Sequence, residues 1–421
     1  MRHEQNNLKT QLTLMAATVC LSLGFAMQAG AAGKKPAALE MEKSAAPDPW
    51  QRYPEWAKAD WKEFNTMRKD AAPPPPLKPQ LVTPIDDGDA ANGKKLAHDR
   101  TRVGGCLVCH VMPDTTLPGN IGPDLSTIGA AGRSDFYLYN SIYDARVFNP
   151  NSMMPPWGLH KVYNEAEIRD MVAYLKTLKT PTVFKDEKDN PLKRPKAVPV
   201  GNYLDPTENP AMFEKDKGEA LYSKVGSSGK SCASCHAKPE KEFKNWAATM
   251  PRYEPRMKKV LNTEEFITRH ARATTGENYL MQSTENDALS IYVRHFGHGQ
   301  KINVKAKTAD EKATMKRGEA LTKRKIGQLN FACTDCHGQG MGAGKWIRGQ
   351  FLPTLDNLVG RHPYWRTSQG SIWTIRKRFQ WCGVATRGAE LPPDATEYGD
   401  LEYYFTSLSN GKKVDGPGIG H

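Results

Sequence analysis

The sequence predicts a mainly α chain in which one helical plan is used three times in tandem. Three observations carry this. The pattern C-x-x-C-H occurs at residues 106–110, 232–236 and 333–337. A glycine-bearing segment precedes each copy at nearly fixed distance: Gly93-Lys94-Lys95-Leu96, Gly218-Glu219-Ala220-Leu221 and Gly318-Glu319-Ala320-Leu321. Far downstream of each copy comes a helix with apolar residues at i, i+3, i+4 and i+7. These sets are Ile168/Met171/Val172/Leu175, Leu289/Tyr292/Val293/Phe296 and Leu401/Tyr404/Phe405/Leu408.

C-x-x-C-H is the attachment pattern of c-type haem. Its two thiols form thioethers to the porphyrin, and the adjoining histidine gives iron one axial nitrogen. The pairs Cys106 and Cys109, Cys232 and Cys235, and Cys333 and Cys336 therefore predict three covalently attached haem c groups, with His110, His236 and His337 as first axial ligands. An early helix carrying glycine that crosses a late helix carrying an aromatic is the frame of small class I cytochromes c, so three such domains in tandem are expected.

Taken in order, residues 1–31 read as a signal peptide. Arg2 and Lys9 form its charged start, 12–27 its apolar stretch, and Ala29-Gly30-Ala31 a cleavage box. That stretch is short for a membrane span, and no other segment is apolar for long enough, so an exported, periplasmic chain without stable membrane insertion is expected. Residues 32–89 form an extension: a short helix with Trp56, Trp61 and Phe64, then polyproline at 73–76. The three haem domains occupy 90–180, 210–300 and 301–421. The proline-rich, charged stretch 181–209 reads as an extended linker. Of eight cysteines, Cys20 leaves with the signal peptide and six take haem, so Cys382 stands alone and no disulfide framework is available. The net charge of +13 suits anions or an acidic partner protein, and nucleic acid is not expected in that compartment.

The second axial ligands come from loops beyond each motif. Met154 lies 44 residues after His110 and directly before Pro155-Pro156, which pre-shape its loop; Met153 is its neighbour. Methionine raises the reduction potential and suits an electron outlet. Cys382 lies 45 residues after His337, and a thiolate lowers the potential. The middle motif offers His270, 34 residues after His236, or Met281, 45 after; His295 and His298 read as structural.

The run Arg376-Lys377-Arg378-Phe379-Gln380-Trp381-Cys382 reads as helical, and Arg378 shares a face with Cys382. Arg387, Lys345 and Arg348 add charge near the third motif. Cations lower a thiol pKa and bind oxyanions, arginine bidentately, so an anion site is expected here. The glycines at 338–344 before Lys345 do not make a phosphate loop: Gln339 stands at the first required glycine and Trp346 at the Ser/Thr.

Together these motifs resemble the SoxX and SoxA cytochromes of bacterial thiosulfate oxidation, here in one chain. Residues 92–180 are similar to SoxX through Gly105-Cys106-Leu107-Val108-Cys109-His110-Val111-Met112-Pro113, Gly119-Asn120-Ile121-Gly122-Pro123 and 149–158. Residues 210–410 are similar to SoxA through Arg317-Gly318, Gly327-Gln328-Leu329-Asn330, the third motif, and Arg378, Cys382 and Arg387. The resemblance implies Met154 as an axial ligand, Cys382 as the active-site haem ligand carried as a persulfide, and Arg378 as a substrate-holding group. It places His270 where the family usually has a cysteine ligand, which selects His270 over Met281.

The implied activity is oxidative conjugation of thiosulfate to a cysteine of the carrier protein SoxYZ, an L-cysteine S-thiosulfotransferase. Arg387, Lys345 and Arg348 are expected to join Arg378 in gripping the substrate, and an external cytochrome c to take the electrons. The alternatives are a thiosulfate dehydrogenase forming tetrathionate and a multihaem electron carrier without catalysis.

Overall fold

The computed structural model describes residues 61, 63–68, 70, 78–80, 82–102, 105–196 and 201–420. The expected signal peptide, Trp56 and the 73–76 prolines lie outside them. Helix α1 (Ala90–His98) starts at Asp89, whose carboxylate accepts from the Ala91 and Asn92 amides. Then come α2 (Asp135–Asp144) and α3 (Glu165–Thr177), the latter started by a capping box between Asn164 and Glu167. Further along lie α4 (Ala211–Ser223), α5 (Cys232–Cys235) and α6 (Pro239–Trp246). A hairpin of β1 (Arg252–Glu254) and β2 (Lys259–Leu261) leads to α7 (Thr263–Thr274) and α8 (Thr284–His295).

The last stretch begins with α9 (Ala309–Thr322) and α10 (Cys333–His337), then a hairpin of β3 (Trp346–Ile347) and β4 (Gln350–Phe351). Strands β5 (Tyr364–Arg366) and β6 (Ser371–Trp373) pair antiparallel, with Tyr364 opposite Trp373. Helices α11 (Ile375–Ala385) and α12 (Thr396–Leu408) follow, and β7 (Gly418–Gly420) closes the small sheet parallel to β5.

Each glycine-bearing helix crosses its late helix at the glycine. A Cβ on Gly93 would lie 2.0 Å from the Asp170 carbonyl oxygen of α3. On Gly218 it would lie 2.2 Å from that of Ala288 on α8, and on Gly318 2.1 Å from that of Asp400 on α12. Any side chain would force these backbones apart. The apolar faces of the late helices are buried at Ile168, Met171, Val172, Leu289, Tyr292, Leu401 and Phe405. Leu408 departs from the expected pattern: it ends α12 and is 38% exposed.

Two further segments differ from expectation. Trp61 and Phe64 sit in a turn, with the Phe64 amide donating to Trp61, and this turn docks on the last part of the chain. Asn65 donates to Lys325 O at 2.8 Å, and Arg68 pairs with Glu397 at 2.8 Å. The expected linker is not a free tether over its described residues. Arg194 is buried, donates to Arg348 O at 2.7 Å and Pro118 O at 3.0 Å, and lies 4.9 Å over the Trp346 ring. Five guanidinium donors let one side chain satisfy several loop carbonyls at once. Among the described residues no helix is long and apolar enough to cross a membrane.

Candidate functional site: three C-x-x-C-H motifs and a shared cavity

The first and third motifs open onto one cavity of about 1840 Å³. Small-molecule pockets hold roughly 300–1,000 Å³, so there is room for more than one large planar group. Cys106, Cys109, His110 and Met154 line one part; Cys333, Cys336, His337, Arg378 and Cys382 line the other. The two parts meet where the Asn120 amide donates to Trp346 O at 3.0 Å and Asn120 accepts from the Trp346 amide at 2.8 Å. Cys109 and Cys336 are near enough for charge on Cys109 to raise the Cys336 thiol pKa, which burial already lifts.

The two histidines are set up alike. His110 Nδ1 lies 2.7 Å from Pro123 O, and His337 Nδ1 lies 2.7 Å from Pro353 O. A carbonyl only accepts, so Nδ1 carries the proton and Nε2 keeps its lone pair for a metal. Burial lowers both pKa values; in His337 burial, then the Arg378 charge, bring it to about 4, so the ring is neutral at pH 7. Both Met153 and Met154 reach the cavity wall, and Met154 also packs on the core around Ile168 and Met171.

The middle motif stands apart from this cavity. The His236 and His270 ring centroids are 5.9 Å apart. That leaves space for one metal atom with a bond of about 2 Å on each side. His236 Nδ1 meets Glu242 at 2.6 Å, and Phe266 stacks on His270 at 5.2 Å. Met281 is buried at 3% exposure. His298 Nδ1 faces Gly416 O at 3.3 Å, and His295 Nδ1 faces Tyr292 O, so both are engaged structurally.

The cations expected around Cys382 divide sharply. Arg378 lies four residues before Cys382 on α11, lines the same cavity, and has a buried Nη1 without a hydrogen-bond partner. Arg376 faces the other way: fully buried, it bonds Glu265 of α7 and Glu402 of α12, each at 2.8 Å. Lys377 is buried 5.8 Å from the Trp373 ring centroid.

The remaining three expected substrate cations serve the seam between the two parts of the cavity. Arg387 donates to Gln328 Oε1 at 3.0 Å and to Arg102 O. The Arg348 side chain donates to Arg100 O at 3.2 Å and its amide to Val108 O at 3.0 Å. Lys345 reaches Ile121 O at 3.4 Å. The carbonyls of Arg102, Arg100 and Ile121 belong to the first motif's surroundings, and each occupies a donor of the cation it binds.

Two polar side chains escaped the sequence reading. Buried His362 lines the cavity, and Arg366 is buried behind its wall. They precede Cys382 by 20 and 16 residues, outside its helix, so helical spacing gave no signal.

Comparison with known proteins completes the description. A family model described as "SoxA/TsdA, cytochrome c domain" matches residues 217–302, and one described as "Cytochrome c" matches 90–179. The L-cysteine S-thiosulfotransferase subunit SoxA of Chlorobaculum tepidum is 30% identical over 212 residues, 49% of this chain and 71% of the relative. The subunit of that name from Pseudaminobacter salicylatoxidans is 31% identical over 214 residues, 50% of this chain and 73% of the relative. The crystal structure of SoxXA from P. pantotrophus covers 51% of this chain and 80% of its own, at 27% identity and a TM-score of 0.48.

Proposed function

The chain belongs to the SoxA family of c-type cytochromes, and from that we propose that it oxidatively conjugates thiosulfate to a cysteine thiol of a SoxYZ-type carrier protein. The finer reading is a SoxX-like domain at 90–180 fused to a SoxA-like dihaem unit at 210–421, working in the periplasm. Three haem c groups would be held by Cys106, Cys109 and His110 with Met154; by Cys232, Cys235 and His236 with His270; and by Cys333, Cys336 and His337 with Cys382. Bound there, haem supplies one-electron acceptors and the path to an external cytochrome c.

The observation that carries this reading is the half-buried Arg378 beside Cys382 on one cavity wall, with a buried Nη1 that has no hydrogen-bond partner among the described residues. Such a cation favours an anion that brings its own oxygens. Arg378 would hold the sulfonate end of thiosulfate and so direct the outer sulfur at Cys382. The overall change balances as R–SH + S₂O₃²⁻ → R–S–S–SO₃⁻ + H⁺ + 2e⁻. The carrier thiol loses its proton, one S–S bond forms, and thiol–disulfide exchange passes the group from Cys382 sulfur to the carrier. The shared cavity favours electron exit from the third motif toward the first, with the middle motif off that line. The cations at the seam, Arg387, Lys345 and Arg348, would fix the two motifs relative to one another.

The test is thiosulfate consumption by the holoprotein with and without carrier. We expect carrier-dependent turnover and a thiosulfonate adduct on the carrier, lost in Cys382→Ala. Tetrathionate formed equally well without carrier would establish the dehydrogenase instead. Unchanged turnover in Cys382→Ala would leave only an electron carrier.

A further inference from the structure

Behind Arg378 lies a second cation, Arg366, with no acid partner among the described residues. Arg366 ends β5 and is 2% exposed. Its Nη1 donates to the Tyr364 hydroxyl at 2.9 Å, and its Nε has no hydrogen-bond partner among the described residues. Its guanidinium lies 4.4 Å over the Trp373 ring and 5.9 Å from that of Trp381. Burial, then the Arg378 charge, press its pKa down, whereas Tyr364 and a charge on Cys382 raise it. Tyr364 and Trp381 both line the cavity, so one layer of side chain separates this cation from the space beside Cys382.

Buried arginines are ordinarily matched by carboxylates, because an isolated charge in a low-dielectric interior is costly. Arg376, six residues from Cys382 but on the opposite side of α11, follows that rule with two glutamates. The fold instead holds Arg366 by aromatic faces and a hydroxyl, which fix its position and leave its charge intact.

We infer that Arg366 is the second positive charge of the anion seat, a positioning residue that acts through the electric field on a divalent sulfur oxyanion and on the anionic sulfur of Cys382, while Arg378 makes the direct contact. This rests on the proposed roles of Cys382 and Arg378. A fully ionised thiosulfate carries two charges and meets two guanidinium groups, so binding restores local neutrality that the empty wall lacks. A monovalent anion of similar size gains from Arg366 only half as much.

One unit charge acting on a dianion across a side-chain layer of about 8 Å changes its affinity by about a thousandfold at an effective dielectric of about 20 and by about sixfold at the dielectric of about 80 of water; for a cavity open to solvent, roughly tenfold is expected. Methionine fits the aromatic niche, and replacing an unmatched buried charge by an apolar side chain is often neutral or stabilising. The experiment uses the holoprotein and Arg366→Met, Arg366→Gln and Arg366→Lys. It reads KM and kcat for thiosulfate, competitive inhibition by sulfate as an unreactive dianion, and Tm. We expect Arg366→Met and Arg366→Gln to raise KM and the sulfate inhibition constant together by roughly tenfold, with kcat within a few-fold and Tm unchanged or higher. Arg366→Lys restores most of the affinity.

An unchanged KM and sulfate constant in the folded Met or Gln protein would overturn the inference, whatever happens to Tm. Arg378→Gln is the control. If it leaves turnover intact, the proposed site itself is wrong; if it abolishes turnover while Arg366→Met and Arg366→Gln bind sulfate normally, only the field role of Arg366 fails.

Discussion

The first and third C-x-x-C-H motifs and the middle one carry the same five-residue pattern in two environments. At the first and third, the imidazoles donate Nδ1–H to the backbone carbonyls of Pro123 and Pro353 and face one large cavity. At the middle, the imidazole of His236 meets the carboxylate of Glu242, and Cys235 is exposed. A carboxylate behind a metal-bound imidazole makes it a stronger donor than a carbonyl does, and solvent screens whatever charge develops. Around Cys382, where a dianion is proposed to bind, stand Arg378 and Arg366, neither with a carboxylate partner among the described residues. The motif therefore tells where haem attaches, and the surroundings decide which site does chemistry.

The sharpest way to break this contrast compares Arg378→Gln with His270→Ala. Loss of Arg378 removes a preorganised charge-stabilising donor and should cost about 10²–10³ in carrier-dependent turnover. His270→Ala should leave turnover within a few-fold and alter only the absorption spectrum of one haem. Equal losses would place the middle motif on the working route.

A second comparison concerns the frame. Gly318→Ala drives a methyl group into the Asp400 carbonyl, and Gly218→Ala drives one into that of Ala288. Each should cost about 3 kcal/mol by thermal unfolding. Gly318→Ala should also disturb turnover, because α12 backs the wall that holds Cys382. Gly218→Ala should leave turnover per folded molecule unchanged.

A smaller effect lies where α8 of the middle part meets α11. Burial lifts the Asp287 carboxyl to about 7, partly offset by Lys377 and reinforced by Glu264. The folded chain keeps a proton there that the unfolded chain releases above pH ~4. This contribution to stability is therefore whole below that value and is lost as pH rises through about 7. Asp287→Asn should flatten the slope of unfolding free energy between pH 5 and 8 and stabilise the protein at pH 8 by about 1–3 kcal/mol. Denaturant titrations at the two pH values measure it. Smallest of all, Glu242→Gln should raise the potential of the middle haem alone in a redox titration, since it withdraws negative charge from behind His236.

Much of the frame was legible from residue spacing. Glycine at 93, 218 and 318 marked helix crossings because close backbone approach admits no other residue. Arg378 was legible because a four-residue step on a helix puts it over Cys382. Arg376 and Lys377 lie in the same basic run, yet they point into the protein, a distinction that adjacency cannot draw. Lys345, Arg348 and Arg387 sit close to a motif or to Cys382 in sequence, but their reach is set by loops that fold toward the first motif. Arg366 and His362 arrive through β5 and the turn before it, so only the tertiary fold brings them to the cavity.

Arg194 has a consequence for how the molecule behaves on dilution. Two freely diffusing partners separate once their concentration falls below the dissociation constant. In the proposed fusion the stretch 181–209 would tie them, and its Arg194 is hydrogen-bonded into the seam. A short tether keeps the local concentration of each half in the millimolar range as seen by the other. Specific activity should then be the same in a nanomolar assay as in a crowded cell compartment, and one protease cut between the halves should make it concentration-dependent.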